Sequence, residues 1–130
     1  MPNPVAMRLH DALLACDELA EFTAGQTFSD YMNDTKLRRA VERSLHIVGE
    51  SISQALRIEP EIEEMIPDAI VIIGMRNRIA HGYREIKDEV IWEAAATGIP
   101  EVATTLRQLI ATLDGATQDR ANCRQSECDC

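Results

Sequence analysis

The stretch Leu37-Arg38-Arg39-Ala40-Val41-Glu42-Arg43-Ser44-Leu45-His46-Ile47-Val48-Gly49-Glu50-Ser51-Ile52-Ser53-Gln54-Ala55-Leu56 decides the fold. Leu37, Ala40, Val41, Leu45, Val48, Ile52, Ala55 and Leu56, with Ser44 in line, recur at the three-and-four spacing that lines one face of a helix. Pro60 ends the pattern, because proline cannot donate the next helical hydrogen bond. Gly49 lies inside the helix at a cost of about 1 kcal/mol relative to alanine. Close packing of a neighbouring backbone commonly offsets such a cost, so a near neighbour is expected at this point. Glu50 beside it reads as polar surface. Arg38, Arg39, Arg43 and Arg57 read as a thin basic edge on a solvated face.

Toward the N-terminus, Val5, Leu9, Ala12, Leu13, Cys16, Leu19 and Ala20 make a second helical stripe that ends near Gly25. Ser29, Asp30 and Asp34 then offer side-chain oxygens to cap the helix through Leu37. Toward the C-terminus, Pro67 and Asp68 suit the first turn of a third helix reaching Ala80 or His81. This helix has two apolar stripes, one of Ile66, Ala69, Ile70 and Ile73, the other of Ile72, Met75 and Ile79. A helix apolar on two sides is buried on two sides, so the extra face is expected in deep core or, by preference, in a dimer interface. A connector from Gly82 to Lys87 leads to a fourth helix, capped by Asp88 and carrying Val90, Ile91, Ala94, Ala95, Val102, Leu106, Leu109, Ile110 and Leu113. Gly98 and Pro100 fall within it, so a kink or break is expected there. No strand alternation or internal repeat is visible. The fold class is therefore all-α, an antiparallel bundle of four to five helices over residues 1–114, followed by a polar, disordered, cysteine-bearing tail at 115–130.

A chain of 130 residues, 45% apolar and 27% charged, suits one soluble domain. Its apolar runs fall far short of the roughly 20 residues that span a bilayer, so no membrane association is expected. The start carries no secretory pattern, which leads to the expectation of a cytoplasmic protein. A net charge of −9 argues against a broad basic surface for nucleic acid, and any such contact must be local. Cys123, Cys128 and Cys130 have no nearby histidine and match no usual zinc spacing, so they read as a passive tail.

One stretch concentrates chemistry: Arg76-Asn77-Arg78-Ile79-Ala80-His81-Gly82-Tyr83. On a helix Asn77 and His81, four apart, share a face, whereas Arg76 and His81 differ by roughly 140°. Arg76 must reach round at the helix end, or the pair must be completed across a dimer cleft. The set suits phosphodiester cleavage. A histidine titrating near neutrality moves a proton, and arginine holds a phosphate by two parallel hydrogen bonds as charge develops. With RNA the 2′-OH serves as nucleophile, so neither metal nor cofactor is expected. Spacing alone leaves a capping arrangement open, since cationic residues also suit a helix C-terminus. Tyr83 by itself reads as a connector residue. His10 and His46 read as surface or satisfied helix residues, and Trp92 and Met75 as core or interface.

The order of Arg76, His81 and Tyr83 resembles the signature of HEPN-domain ribonucleases, in particular the HepT toxins. The likeness also takes in Phe28-Ser29-Asp30, Ala40-Val41 with Arg43 and Leu45, Ile47-Val48-Gly49-Glu50, and Ile91-Trp92, and covers about Arg8 to Leu113. Ser51 stands where the family often has a small residue such as alanine. The resemblance implies that Arg76 and His81 are the catalytic pair of a metal-independent endoribonuclease, that Asn77 supports them, and that the substrate is tRNA or mRNA. It further implies a toxin-antitoxin pair in which a small nucleotidyltransferase antitoxin transfers AMP to Tyr83, and a homodimer with facing motifs. The alternative of another class is a catalytically silent helical subunit that docks and regulates the nucleotidyltransferase.

Overall fold

The computed structural model describes residues 3–80 and 87–128, with side chains described as far as residue 115. All secondary structure among the described residues is helical. Helix α1 (Pro4–Thr23) starts where Asn3 Oδ1 accepts the Val5 and Ala6 amides at 2.9 and 3.4 Å. Gly25, at φ +71°, reverses the chain after it, a conformation that costs glycine nothing. The central helix α3 (Thr35–Ile58) is capped by Asp34, whose Oδ1 accepts the Leu37 amide at 3.1 Å. Its expected stripe is buried from Leu37 through Val41, Ser44, Leu45, Val48 and Ile52 to Ala55.

Between these helices lies an element absent from the sequence reading. Thr27 and Asp30 form a reciprocal capping box that starts a short helix, α2 (Phe28–Asn33). Asp30 therefore caps α2 and leaves α3 to Asp34. The helix carries Tyr31 into the core, where its ring meets Trp92 at 5.2 Å between centroids and lies 5.7 Å beneath the Arg38 guanidinium.

A 3-10 turn at Pro60–Met65, also unforeseen, buries Ile62 and leads to α4 (Ala69–Ala80). Pro67 and Asp68 form the turn just ahead of α4, and the Asp68 carbonyl accepts the Ile72 amide at 2.9 Å. The sorting of its apolar residues corrects the expected stripes. Ile66, Ala69 and Ile72 are buried together, whereas Ile70 and Val71 are 69% and 64% exposed. The 100° step per residue brings Ile72 round beside Ala69 and swings Ile70 out.

The last expected helix is one continuous path with a widened turn. Helix α5 (Asp88–Glu93) passes into a π turn at Ala94–Gly98 and then α6 (Ile99–Cys128). The Ile99 amide donates to the Ala94 carbonyl, five residues back. Pro100 has no N–H to return to the preceding turn, and the π turn accommodates it without ending the helix. Lys87, and not Asp88, occupies the cap position of α5. Asp88 lies in the first turn and pairs with Arg38 at 3.1 Å. Arg39 likewise pairs with Glu42 at 3.1 Å, so part of the basic edge on α3 is neutralised locally. Helix α6 passes the Gly115 position where the sequence reading begins a tail; alanine, glutamine and arginine sustain helix there by propensity without an apolar stripe. The side chains of Cys123, Cys128 and Cys130 lie outside the description.

Helix α1 packs against α3 and α6, and α4 packs against α3. Leu9, Leu19, Tyr31, Val41, Val48, Ile52, Ile66 and Leu106 are completely covered at the centre. Cys16 belongs to this core, where burial pushes its thiol up to about 12 and leaves it a small unreactive apolar group. No described helix is long and apolar enough to cross a membrane.

Candidate active site at the end of helix α4

The close approach expected at Gly49 is present, and it positions the site. A methyl group placed on Gly49 would stand 2.5 Å from Arg76 Cβ, 3.0 Å from Arg76 Cγ and 3.2 Å from the Ile72 carbonyl oxygen. Glycine thus lets the stem of Arg76 lie directly on the backbone of α3. Once there, the guanidinium is held from two sides. Nη2 pairs with Glu50 Oε2, the carboxylate one residue beyond the glycine, and Nη1 donates to Asn77 Oδ1. The other Glu50 oxygen, Oε1, accepts from Gln54 Nε2 at 3.0 Å, one helical turn further along α3. Arg76 Nε is buried without a hydrogen-bond partner among the described residues.

The Arg76 and Glu50 side chains are 26% and 29% exposed, so their pair lies between two regimes. An exposed pair contributes about 0–1 kcal/mol, and removing one partner of a buried pair costs about 3–5 kcal/mol. The pair is firm enough to fix the guanidinium and open enough for a solute to reach it.

The structure therefore brings together two of the residues singled out by the sequence, Arg76 and Asn77. His81 and Tyr83 lie outside the described residues. Two residues passed over by the sequence reading belong to this neighbourhood. Glu50, expected as polar surface, is the ionic partner of Arg76. His46 lies one turn before Glu50 on α3 and is half-buried. Its pKa is lowered by burial, then by Arg76 and Arg43, against an opposing pull from Glu50. A signal that could have marked Glu50 is its place next to a helix-interior glycine. Such a glycine marks where another helix touches.

The lowered pKa of His46 carries a pH dependence of known sign. The fold favours the neutral imidazole, so the stability from this group is fully present above its ordinary value of 6.5 and is lost as pH falls through the lower folded value. Urea titrations between about pH 8 and about pH 5 are expected to show stability falling on acidification, and falling less steeply in His46→Gln. Equal slopes in the two proteins would remove His46 as a source of the effect.

Another side of α4 carries an apolar surface. Ile70, Val71, Gly74 and Met75, with Val90 of α5, line a groove of about 700 Å³ that has Arg78 and Lys87 at its edge. A narrower apolar cleft of about 230 Å³ runs between α4 and the π turn, past Met75, Gly98 and Ile99.

An all-helical bundle that fixes an arginine between a carboxylate and an amide near a helix end, a few residues before a histidine, has the outline of a phosphodiester-cleaving site. Comparison with known proteins gives the particular family. The family described as "Ribonuclease HepT-like" matches residues 12–109. The chain is 31% identical over 102 residues to "Putative RNase TTE0752" of Caldanaerobacter subterraneus subsp. tengcongensis, covering 78% of this chain and 90% of that one. It is 30% identical over 107 residues to "Probable ribonuclease HepT" of Thermococcus cleftensis, covering 78% and 91% respectively. To "Putative RNase MJ1216" of Methanocaldococcus jannaschii it is 26% identical over 113 residues, 85% of this chain and 91% of that one. No solved structure matches the chain. The chain belongs to the HepT-like ribonuclease family.

Proposed function

We propose that the protein is a metal-independent endoribonuclease, the toxin of a toxin-antitoxin pair, with Arg76 and His81 as its catalytic residues and Asn77 as their support. The observation that carries this reading is the Arg76 guanidinium, held in place before any substrate arrives by Glu50 and Asn77. Preorganised cationic donors of this kind stabilise a phosphorane as its charge develops, with no reorganisation at the moment of reaction. The RNA 2′-oxygen attacks the adjacent phosphorus, the bond to the 5′-oxygen breaks, and a 2′,3′-cyclic phosphate and a 5′-hydroxyl result. His81 moves the proton between the attacking and leaving oxygens. The Glu50 carboxylate at this point is committed to Arg76 and Gln54, which favours neutralisation of the phosphate by arginine over neutralisation by a metal held there.

Tyr83, two residues beyond His81, is the site of AMP transfer by the nucleotidyltransferase antitoxin. The added phosphate brings negative charge and bulk beside the cleft and repels an RNA backbone. The exposed apolar face of α4 supports a homodimer, since Ile70, Val71 and Met75 line one groove that a second copy would cover.

The test is incubation of cellular RNA with purified protein in EDTA, after mass spectrometry has shown Tyr83 to be unmodified. Fragments ending in 2′,3′-cyclic phosphate are expected, and their formation is expected to cease once AMP is transferred to Tyr83. Intact RNA after incubation with the unmodified protein would sink the nuclease reading in favour of a helical docking subunit for the nucleotidyltransferase.

A further inference from the structure

Two amides, a carboxylate and a guanidinium form a short chain across α3 and α4: Gln54 to Glu50, Glu50 to Arg76, Arg76 to Asn77. In this arrangement each terminal nitrogen of Arg76 has one protein partner and keeps a second N–H. A nuclease that relies on Arg76 can offer those remaining N–H groups to the phosphate while Glu50 holds the guanidinium. The carboxylate that holds it carries the same sign of charge as the RNA backbone, so it competes with the substrate for the same cation. Its presence opposes binding in the ground state, and its geometric value lies elsewhere, in fixing the direction of the guanidinium plane. Gln54 ties the second oxygen back to α3, which keeps Glu50 from following Arg76 toward the substrate.

We propose that Glu50, itself oriented by Gln54, is a positioning residue of the cleavage reaction, which trades ground-state affinity for RNA against alignment of Arg76 with the scissile phosphate. This rests on the nuclease reading of the same site. Gly49 is the adjacent half of the device, since the approach of Arg76 to α3 brings its guanidinium within reach of the carboxylate. Arginine suits the role because its planar fork offers separate nitrogens to a holder and to an incoming oxygen.

Glu50→Gln tests the proposal, because it keeps the shape and removes the charge that holds Arg76. The expected result is a split in kinetic constants. The kcat for RNA cleavage falls about tenfold or more, while KM stays level or falls. Inorganic phosphate, used as a competitive probe, inhibits the variant at lower concentration than wild type, since its cation is no longer occupied. A structural role for Glu50 would lower the melting temperature and the fraction of active protein without lowering the phosphate inhibition constant. An unchanged kcat, or a raised KM with kcat intact, would overturn the proposal. The nitrogen-15 signal of Arg76 Nε–H supplies a readout that does not depend on activity. Restricted motion in wild type, lost in Glu50→Gln, is expected; a mobile guanidinium in wild type would overturn the proposal. Should wild type hold Arg76 rigidly yet leave RNA intact, the nuclease reading fails and, with it, the catalytic purpose assigned here to Glu50.

Discussion

Arg76→Ala is expected to lower the rate of RNA cleavage about a hundredfold or more, the loss that follows removal of one preorganised donor to a developing oxyanion. Arg76→Lys should recover little of it. A lysine ammonium carries the charge as a single point and cannot replace a fork that engages Glu50 and Asn77 through different nitrogens. The two substitutions differ in their effect on the fold. Alanine leaves the half-covered Glu50 carboxylate without its cation, and a loss of about 1–3 kcal/mol of stability is expected, between the exposed and buried limits for an ion pair. Lysine retains part of it. His81→Ala should silence cleavage to the same degree without disturbing the pair between Arg76 and Glu50. Initial rates in EDTA, measured well below the melting temperature of each variant, separate these effects. Cleavage by Arg76→Ala within a few-fold of wild type would remove Arg76 from the chemistry.

Gly49→Ala is the second substitution with a large expected effect, and its sign runs against helix propensity. In an exposed helix interior, alanine stabilises by about 1 kcal/mol relative to glycine. Here its methyl group would meet Arg76 Cβ at 2.5 Å and the Ile72 carbonyl at 3.2 Å. Neither is the free end of a flexible side chain, so α4 must move away from α3. Overpacking of this kind costs about 1–3 kcal/mol and outweighs the propensity gain, and Gly49→Val adds further branches at the same contact. The melting temperature is expected to fall by about 5 °C for alanine and further for valine. Cleavage should fall by more than the folded fraction, because displacement of α4 carries Arg76 away from Glu50. Circular dichroism melts beside initial rates give the comparison, and a melting temperature of Gly49→Ala at or above that of wild type would contradict the close contact.

The legibility of these features in the sequence follows from the range of the interactions behind them. The stripes of α1 and α3 repeat over four or more turns, and both helices appear where their periodicity places them. Helix α2 and the 3-10 turn at Pro60–Met65 are each six residues long, too short for a period to show, and their signals are local caps and a proline. The assignment of Asp30 to the wrong helix illustrates the ambiguity, because a capping residue is recognisable before the helix it caps. On α4 the apolar residues surround so much of the helix that periodicity could not tell Ile72 from Ile70. Only contact with α3 separates them. At the site, Arg76 and Asn77 were legible through a motif, that is, through neighbours in the chain. Glu50 meets Arg76 across two helices, and nothing in either local sequence states that pairing. Gly49 announced a contact at that point without naming what would touch it.

The π turn between α5 and α6 gives the chain a tolerance in length that is separate from any tolerance in composition. Ile91, Ala95, Ile99 and Ala103 are all buried at intervals of four, a spacing that would drift about 40° per step around a regular α-helix. The widened turn at Ala94–Gly98 absorbs one extra residue and brings this row back into line. Deleting one residue of Ala94–Gly98 would convert the widened turn into a regular α turn and leave the helix after it in its present register. Val102, Leu106 and Leu109 would keep their places in the core. Relatives that keep the bundle can therefore lack one residue in this segment, whereas a gap in the regular helix further along α6 would turn everything after it by about 100°.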